Sequence, residues 1–194
     1  MSDFDALANA VRDHYLAALV ESLRQFRALN DPSSPEVLLE MRNEKPLAFR
    51  LYRADMAANV GGELKVQDVN PSTHLSFSPF TVEFAKGSTG ALHPFVWNDI
   101  GIHVDVTLPT KEVEDWALRW LDAEDESTQQ DEHGLSQVIH SVLRDDIAGG
   151  GTLLNVDFGS APVAALRELI DMALAAGASN LSIHSSTLSS ESPH

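Results

Sequence analysis

The sequence predicts an α+β fold, in which helices pack on a largely antiparallel sheet within a single domain over 1–185. Three patterns indicate this class. The segment 1–30 carries apolar residues at helical spacing, residues 46–108 alternate apolar and polar residues at strand spacing, and 150–185 hold a strand, a helix and a strand. A chain of 194 residues, 43% of them hydrophobic, is long enough to bury a core of this kind.

The first predicted element is a helix over about residues 3–29. Ser2 and Asp5 have the spacing of a capping box at its start. Its apolar stripe consists of Phe4, Leu7, Val11, Tyr15, Ala18, Leu19, Leu23 and Phe26. The Pro- and Ser-rich segment 31–35 is predicted to end the helix and to form a turn.

Residues 46–108 are predicted to form an antiparallel meander. Apolar and polar residues alternate over 47–52, 75–84 and 100–106, as expected for strands with one buried face. The pair Gly61 and Gly62 indicates a turn between two of these strands.

Residues 110–148 are predicted to form a hairpin of two amphipathic helices joined by an acidic loop. Val113, Trp116 and Trp120 lie on one face of the first helix, so the two tryptophans are expected to anchor the core. Apolar residues recur at helical spacing over 135–143, which predicts the second helix.

The C-terminal segment 150–185 is predicted to form a βαβ unit with a parallel strand pair. Its strands are expected over 152–158 and 180–184, with a helix between them that Gly177 ends. The turn at Gly159 and Ser160 offers backbone amides to an anion, as any turn of this kind does. The Ser-rich segment 186–194 is predicted to be a disordered tail.

Negative charge is the strongest functional signal. The net charge is −16, and 112–146 hold eleven acidic but only two basic side chains, with the highest density at 122–132. Such a surface repels nucleic acid and anionic lipid, and it attracts a basic protein. Because the sequence contains no cysteine, it excludes disulfides, thiolate metal sites and a cysteine nucleophile. The acidic first residues and the short apolar runs predict neither a secretory signal nor a membrane span, so we expect a cytoplasmic protein.

We therefore expect a non-enzymatic protein, without a cofactor, that binds a basic protein partner in the manner of an inhibitor, immunity or adaptor protein. The expected partner-binding residues are Asp122, Glu124, Asp125, Glu126, Asp131 and Glu132. A second interpretation is that the acidity serves solubility alone. The oligomeric state is left open.

The acidic loop also has part of the spacing of a calcium loop. Asp122, Glu124 and Glu126 occupy the first, third and fifth positions. However, Ser127 replaces the glycine that the sharp turn needs, and His133 replaces the bidentate glutamate at the twelfth position. A solvated loop is therefore favoured over a calcium site.

The alternative function is an enzyme, or a protein that binds a metal or small ligand, with a site around His103 and Asp105. On an alternating strand these two side chains point the same way, and a histidine beside a carboxylate can share a cation or transfer a proton. His93 is the expected third metal ligand if the strand register permits, with His74 as its substitute. The competing interpretation is a solvated strand face, and no catalytic motif supports an enzyme.

A small basic stretch interrupts the acidic composition, consisting of Arg42, Lys45, Arg50 and Arg53. It is expected to be solvated or to pair with the acids of the same chain, and an anionic ligand is the third possibility. The sequence does not decide whether it meets the acidic segment.

Overall fold

The computed structural model describes residues 2–40, 50–84, 87–125 and 130–188. Its elements follow one another as α1 (Ser2–Leu29), β1 (Ser33–Glu40), β2 (Leu51–Val60), β3 (Glu63–Gln67), β4 (Phe80–Glu83), β5 (Thr89–Leu92), β6 (Ile100–Val104), α2 (Thr110–Trp120), β7 (Ser141–Asp146), β8 (Thr152–Asp157), α3 (Val163–Ala175) and β9 (Asn180–His184). The predicted α+β class is confirmed, with its N-terminal helix and its C-terminal strand, helix and strand.

The strands form two sheets. The small sheet is antiparallel, with the order β1-β2-β3, and the large sheet has the order β4-β5-β9-β6-β8-β7. Within the large sheet only β5 and β9 pair in parallel, and the other neighbours are antiparallel. The continuous meander predicted over 46–108 is wrong. This segment forms the antiparallel pairs β2–β3 and β4–β5 in two different sheets, and β9 lies between β5 and β6.

One contiguous apolar core reaches both sheets and all three helices. Trp116 is fully buried and lies edge-on to Phe158, whose ring centroid is 6.3 Å away. Its indole N–H donates to the carbonyl of Ala165 at 3.2 Å. Trp120 is partly buried against the same core, so the expected anchoring role of both tryptophans is confirmed. The assignment of 1–185 to a single domain stays a prediction.

The prediction of a second helix in the acidic hairpin is wrong. Residues 135–140 have no regular secondary structure, and Ser141–Asp146 form the edge strand β7 paired with β8. Leu135, Val138 and Ile139 are buried as their spacing suggested. However, the main chain here bonds to a distant segment, since the Ile139 N–H donates to the carbonyl of Trp120 at 3.0 Å. Tertiary hydrogen bonds override the local helical pattern here.

The parallel strand pair predicted within 150–185 is wrong, because β8 and β9 run in the same direction but are not neighbours. Strand β6 lies between them and is antiparallel to both, so that Ile102 pairs with Leu154 on one side and with Ile183 on the other. The sequence pattern within 150–185 predicts the order of these elements along the chain. It does not predict that a distant strand, β6, lies between β8 and β9 in the sheet.

Two further segments differ from expectation. Ser33–Glu40, predicted in part as a turn, is strand β1. The prediction of a disordered tail is wrong for residues 186–188, which form a turn. There the hydroxyl groups of Ser186 and Thr187 both donate to the carboxylate of Asp99. Residues 189–194 lie outside the described ranges.

Candidate functional site

A buried ionic network, centred on His140, joins the two sheets. The ring Nε2 lies 2.9 Å from Oε1 of Glu36 on β1, and Nδ1 lies 2.9 Å from Oδ1 of Asp55 on β2. A third carboxylate, that of Asp157 on β8, has Oδ1 3.9 Å from Nδ1. Because each ring nitrogen faces a carboxylate oxygen, both nitrogens donate and the imidazole carries a positive charge.

The main chain of His140 connects the same strands. Its N–H donates to the carbonyl of Asp157 at 2.8 Å, and its carbonyl accepts from the N–H of Arg53 at 2.8 Å. From α1, the Tyr15 hydroxyl donates to Oδ1 of Asp55 at 3.0 Å. The network thus ties together α1, the small sheet and the large sheet.

Burial and neighbouring charges shift the pKa values of three groups in the network, those of His140, Asp157 and Tyr15. Burial alone favours the neutral imidazole, but hydrogen bonds to Asp55 and Glu36 and the charge of Asp157 raise the pKa of His140 well above its ordinary value. Burial raises the pKa of Asp157 to about 7, and the charge of Asp55 adds to this while His140 opposes it. Burial and the carboxylates of Asp157 and Asp55 also raise the pKa of Tyr15, which keeps its phenol neutral.

The network has a structural role. Glu36, Asp55 and His140 are each at most 2% exposed, so a substrate cannot reach them without opening the core. A buried charge is tolerated only when it is paired and hydrogen-bonded, and the loss of one member leaves the others uncompensated. The geometry therefore holds the two sheets in one arrangement.

The buried network was not among the sites predicted from the sequence. Glu36 lies just after the predicted turn over 31–35, where no element was predicted, and His140 lies in the predicted second helix. The one local signal is Asp55, a single acid among the small and apolar residues 54–58, all of which are buried. A lone carboxylate in such a strand indicates a buried charge with a partner elsewhere.

Arg53 links the small sheet to the acidic segment and answers the question left open for the basic stretch. Its buried guanidinium donates to the carbonyl oxygens of Leu121, Glu36 and Asp122 at 2.6, 2.6 and 2.8 Å. Its Nη2 also lies 2.9 Å from Oδ1 of Asp125. Arg53 therefore pairs with acids of the same chain, whereas Arg42 and Lys45 lie outside the described ranges.

The six expected partner-binding residues do not share one role. Asp122 and Asp125 pair with Arg53, and Oδ1 of Asp131 accepts the backbone N–H groups of His133 and Leu135. Glu124 and Glu132 are exposed, and Glu126 lies outside the described ranges.

A surface groove lies beside this segment. It has a volume of about 440 Å³, and we call it the α1 groove. Its walls come from one face of α1 and from 131–135, and they consist of Asp13, Leu16, Ala17, Val20, Glu21, Asp131, His133 and Leu135. A lining that combines four apolar side chains with three carboxylates suits a basic amphipathic segment.

The predicted pair His103 and Asp105 is brought together on the exposed face of the large sheet. Both side chains line a cavity of about 280 Å³, which we call the outer-face cavity. The Asp105 carboxylate accepts the backbone N–H groups of Ser179 and Asn180, each at 3.0 Å. Desolvation acts in the opposite direction, but hydrogen bonds from Asn180 and Ser179 lower the pKa of Asp105.

His93 does not line the outer-face cavity. Across the described part of the chain, no three histidine or carboxylate groups converge on a position for a metal ion. His184 lies near His93 and His103, and burial together with the charges of these two histidines lowers its pKa.

The turn amides proposed for an anion are occupied by carboxylates of the same chain. The N–H of Gly159 donates to Oδ1 of Asp157 at 2.9 Å, and the N–H of Ser160 donates to Oε1 of Glu36 at 3.3 Å. The turn that opens α3 thus serves the buried network.

The chain has no significant match to a protein family, to a curated protein or to a solved structure. Within the described residues, none of the helices has the length and apolar character needed to span a membrane.

The raised pKa of Asp157 makes stability dependent on pH. The folded state holds this proton up to about pH 7, whereas an unfolded aspartate has a pKa near 3.8. The stability that this bound proton contributes is therefore fully present below the pKa of the unfolded state, and it is lost as the pH rises to about 7. Asp157→Asn lacks this titration. As the pH rises through that interval, we therefore expect the free energy of unfolding of the wild type to fall relative to that of Asp157→Asn.

Urea unfolding at several pH values between about 4 and about 8 measures this difference. Asp145→Asn, at an exposed position of β7, is the matched control and should leave the pH profile unchanged. Parallel profiles for the wild type and Asp157→Asn would show that Asp157 does not carry the proton.

Proposed function

We propose that this protein is a cytoplasmic, non-enzymatic binding protein that captures a basic segment of a partner protein in the α1 groove, as an inhibitor, immunity or adaptor protein does. The observation that carries the proposal is that apolar and acidic side chains line the same surface groove. Charge alone gives encounter and specificity, whereas desolvated apolar anchors give affinity.

The apolar anchors lie on α1 at the border between its buried and its exposed face. Tyr15, Leu19 and Leu23 fill its inner face and are fully buried. Leu16 and Val20, one helical turn apart, are only partly buried at the edge of the core. The amphipathic helix thus keeps a second apolar strip at the surface, next to Leu135.

Three carboxylates line the groove together with this strip. Asp13 and Glu21 lie on α1, and Asp131 lies opposite them. Arg24 neutralises part of the charge of Glu21, with the two side chains 2.7 Å apart. Arg12 lies 3.6 Å from Asp13, but its guanidinium is committed to the carbonyl oxygens of Ser160 and Ala161.

The wider acidic surface would act at longer range. Glu124 and Glu132 are exposed, Glu132 within the segment 131–135 that lines the groove, and the whole chain is strongly negative. Attraction of this kind accelerates association, and salt screens it beyond about 8 Å at physiological ionic strength. The proposal therefore implies that partner binding weakens as salt rises.

Affinity capture from a lysate of the source organism tests this proposal at low and at moderate salt. The groove variant is Leu16→Ser with Val20→Ser, and the matched control is Leu118→Ser, which removes an exposed leucine from α2. We expect a basic protein to be retained by the wild type and the control. The groove variant should bind at least about tenfold more weakly, since each lost apolar anchor contributes about 1.5 kcal/mol or more.

Retention that is equal for the groove variant and the wild type would exclude the α1 groove. If the wild type retains no basic protein at either salt concentration, the acidity serves solubility and the proposal is wrong.

A second candidate function has one specific observation in its favour, namely that His103 and Asp105 share the outer-face cavity. Because Asp105 is held by Ser179 and Asn180, the exposed His103 would be the group that meets a small polar ligand or acts on it. Thr81 and Thr89 add hydroxyl groups to the same cavity.

Thermal unfolding with a panel of small polar compounds and divalent metal salts tests this candidate. A compound that binds at this site should raise the unfolding temperature of the wild type and have no effect on His103→Ala. His133→Ala, which removes a histidine outside the cavity, should respond as the wild type does. If no compound distinguishes the two histidine variants, the second candidate is wrong.

A further inference from the structure

The outer edge of the small sheet is an open strand. β3 is the last strand in the order β1-β2-β3, and no other described strand pairs with its outer side. All five of its residues are exposed. The backbone N–H and C=O groups along this side form a template for another strand.

The same hairpin exposes apolar side chains. Val60 is 49% exposed, Leu64 is 59% exposed and Val66 is 37% exposed. These are three of the eight most exposed large hydrophobic side chains among the described residues, and they lie within seven positions of one another. An exposed edge strand with this composition favours association through strand pairing.

We propose that a second copy of this chain covers the edge, with the two β3 strands pairing antiparallel about a two-fold axis at Leu64. This register is complementary to itself. It places Glu63 opposite Lys65 of the partner subunit, and the pair is repeated on the other side of the axis by symmetry. Leu64 then faces its own symmetry mate across the axis.

The hydrogen-bonding pattern agrees with this register. The two-residue turn of the hairpin pairs Val60 with Glu63, so Glu63, Lys65 and Gln67 direct their main-chain groups toward β2. Leu64 and Val66 direct theirs outward. In an antiparallel pair about Leu64, the main-chain N–H and C=O groups of the two Leu64 residues bond to each other. The N–H of Val66 then donates to the carbonyl of Gly62 in the other copy.

The alternative register about Lys65 is unfavourable because of its charges. Its main-chain bonds are equally possible, since Leu64 and Val66 would face Val66 and Leu64 of the other copy. However, a two-fold axis at Lys65 would place two ammonium groups opposite each other, and like charges in that position destabilise a strand pair. The opposite charges of Glu63 and Lys65 therefore select the register about Leu64.

Charge reversal tests the pairing, with the full-length protein throughout. In Glu63→Lys or Lys65→Glu alone, like charges would face each other at both symmetric positions. An equimolar mixture of the two single variants restores opposite charges at both positions, and so does the double variant. Lys65→Glu also removes the bond from Nζ to Asn30, and because the mixture does not repair that bond, recovery reports pairing alone.

Sedimentation equilibrium over a range of protein concentrations measures the mass. The wild type should approach twice the protomer mass of 21.1 kDa. Each single variant should dissociate at least about tenfold more readily, and the mixture and the double variant should return toward the wild type. Leu64→Lys should also dissociate the pair, whereas Leu118→Lys, at an exposed position of α2, should not.

A wild type that remains monomeric up to about 1 mM overturns the proposal. It is equally overturned if the mixture of single variants fails to recover the dimer, or if Leu118→Lys dissociates it as strongly as Leu64→Lys does. These results are independent of partner capture in the α1 groove, which lies on a different element.

Discussion

The cation at His140, held between carboxylates of both sheets, is the interaction on which the rest of the structure depends. An unpaired buried charge is far more costly than an unpaired polar group, so the carboxylates must stay where the imidazole needs them. The space around the ring is equally constrained. A Cβ atom at Gly159, where φ is +46°, would lie 2.2 Å from Cδ2 of His140. Only glycine fits that turn.

This network also sets the position of the surface that we assign to partner binding. The Glu36 carboxylate accepts the N–H of Ser136 at 2.5 Å, which fixes the segment that forms one wall of the α1 groove. The Tyr15 hydroxyl fixes α1, which forms the other wall, against Asp55. Both walls of the groove are therefore tied to the buried network.

Local patterns predicted the elements whose hydrogen bonds are local. The apolar stripe placed α1 within a residue of Ser2–Leu29, and the two glycines located the β2–β3 turn. The strand β7 and the buried network were missed because their partners are distant in sequence. His140 meets a carboxylate 104 positions away, and no spacing rule within a window reports such a contact. His103 and Asp105 line the same cavity, in agreement with the alternation that placed them on one face, although Asp105 lies just after the end of β6.

The most direct test of the central role of His140 is the free energy of urea unfolding of His140→Ala and of His140→Ala with Glu36→Gln. The first variant should lose about 3 to 5 kcal/mol, because it leaves buried carboxylates without their cation. Adding Glu36→Gln should recover at least about 1 kcal/mol, since it removes one of those unpaired charges. A single-variant loss below about 1 kcal/mol, or a further loss in the double variant, would show that His140 only fills space and would contradict the account.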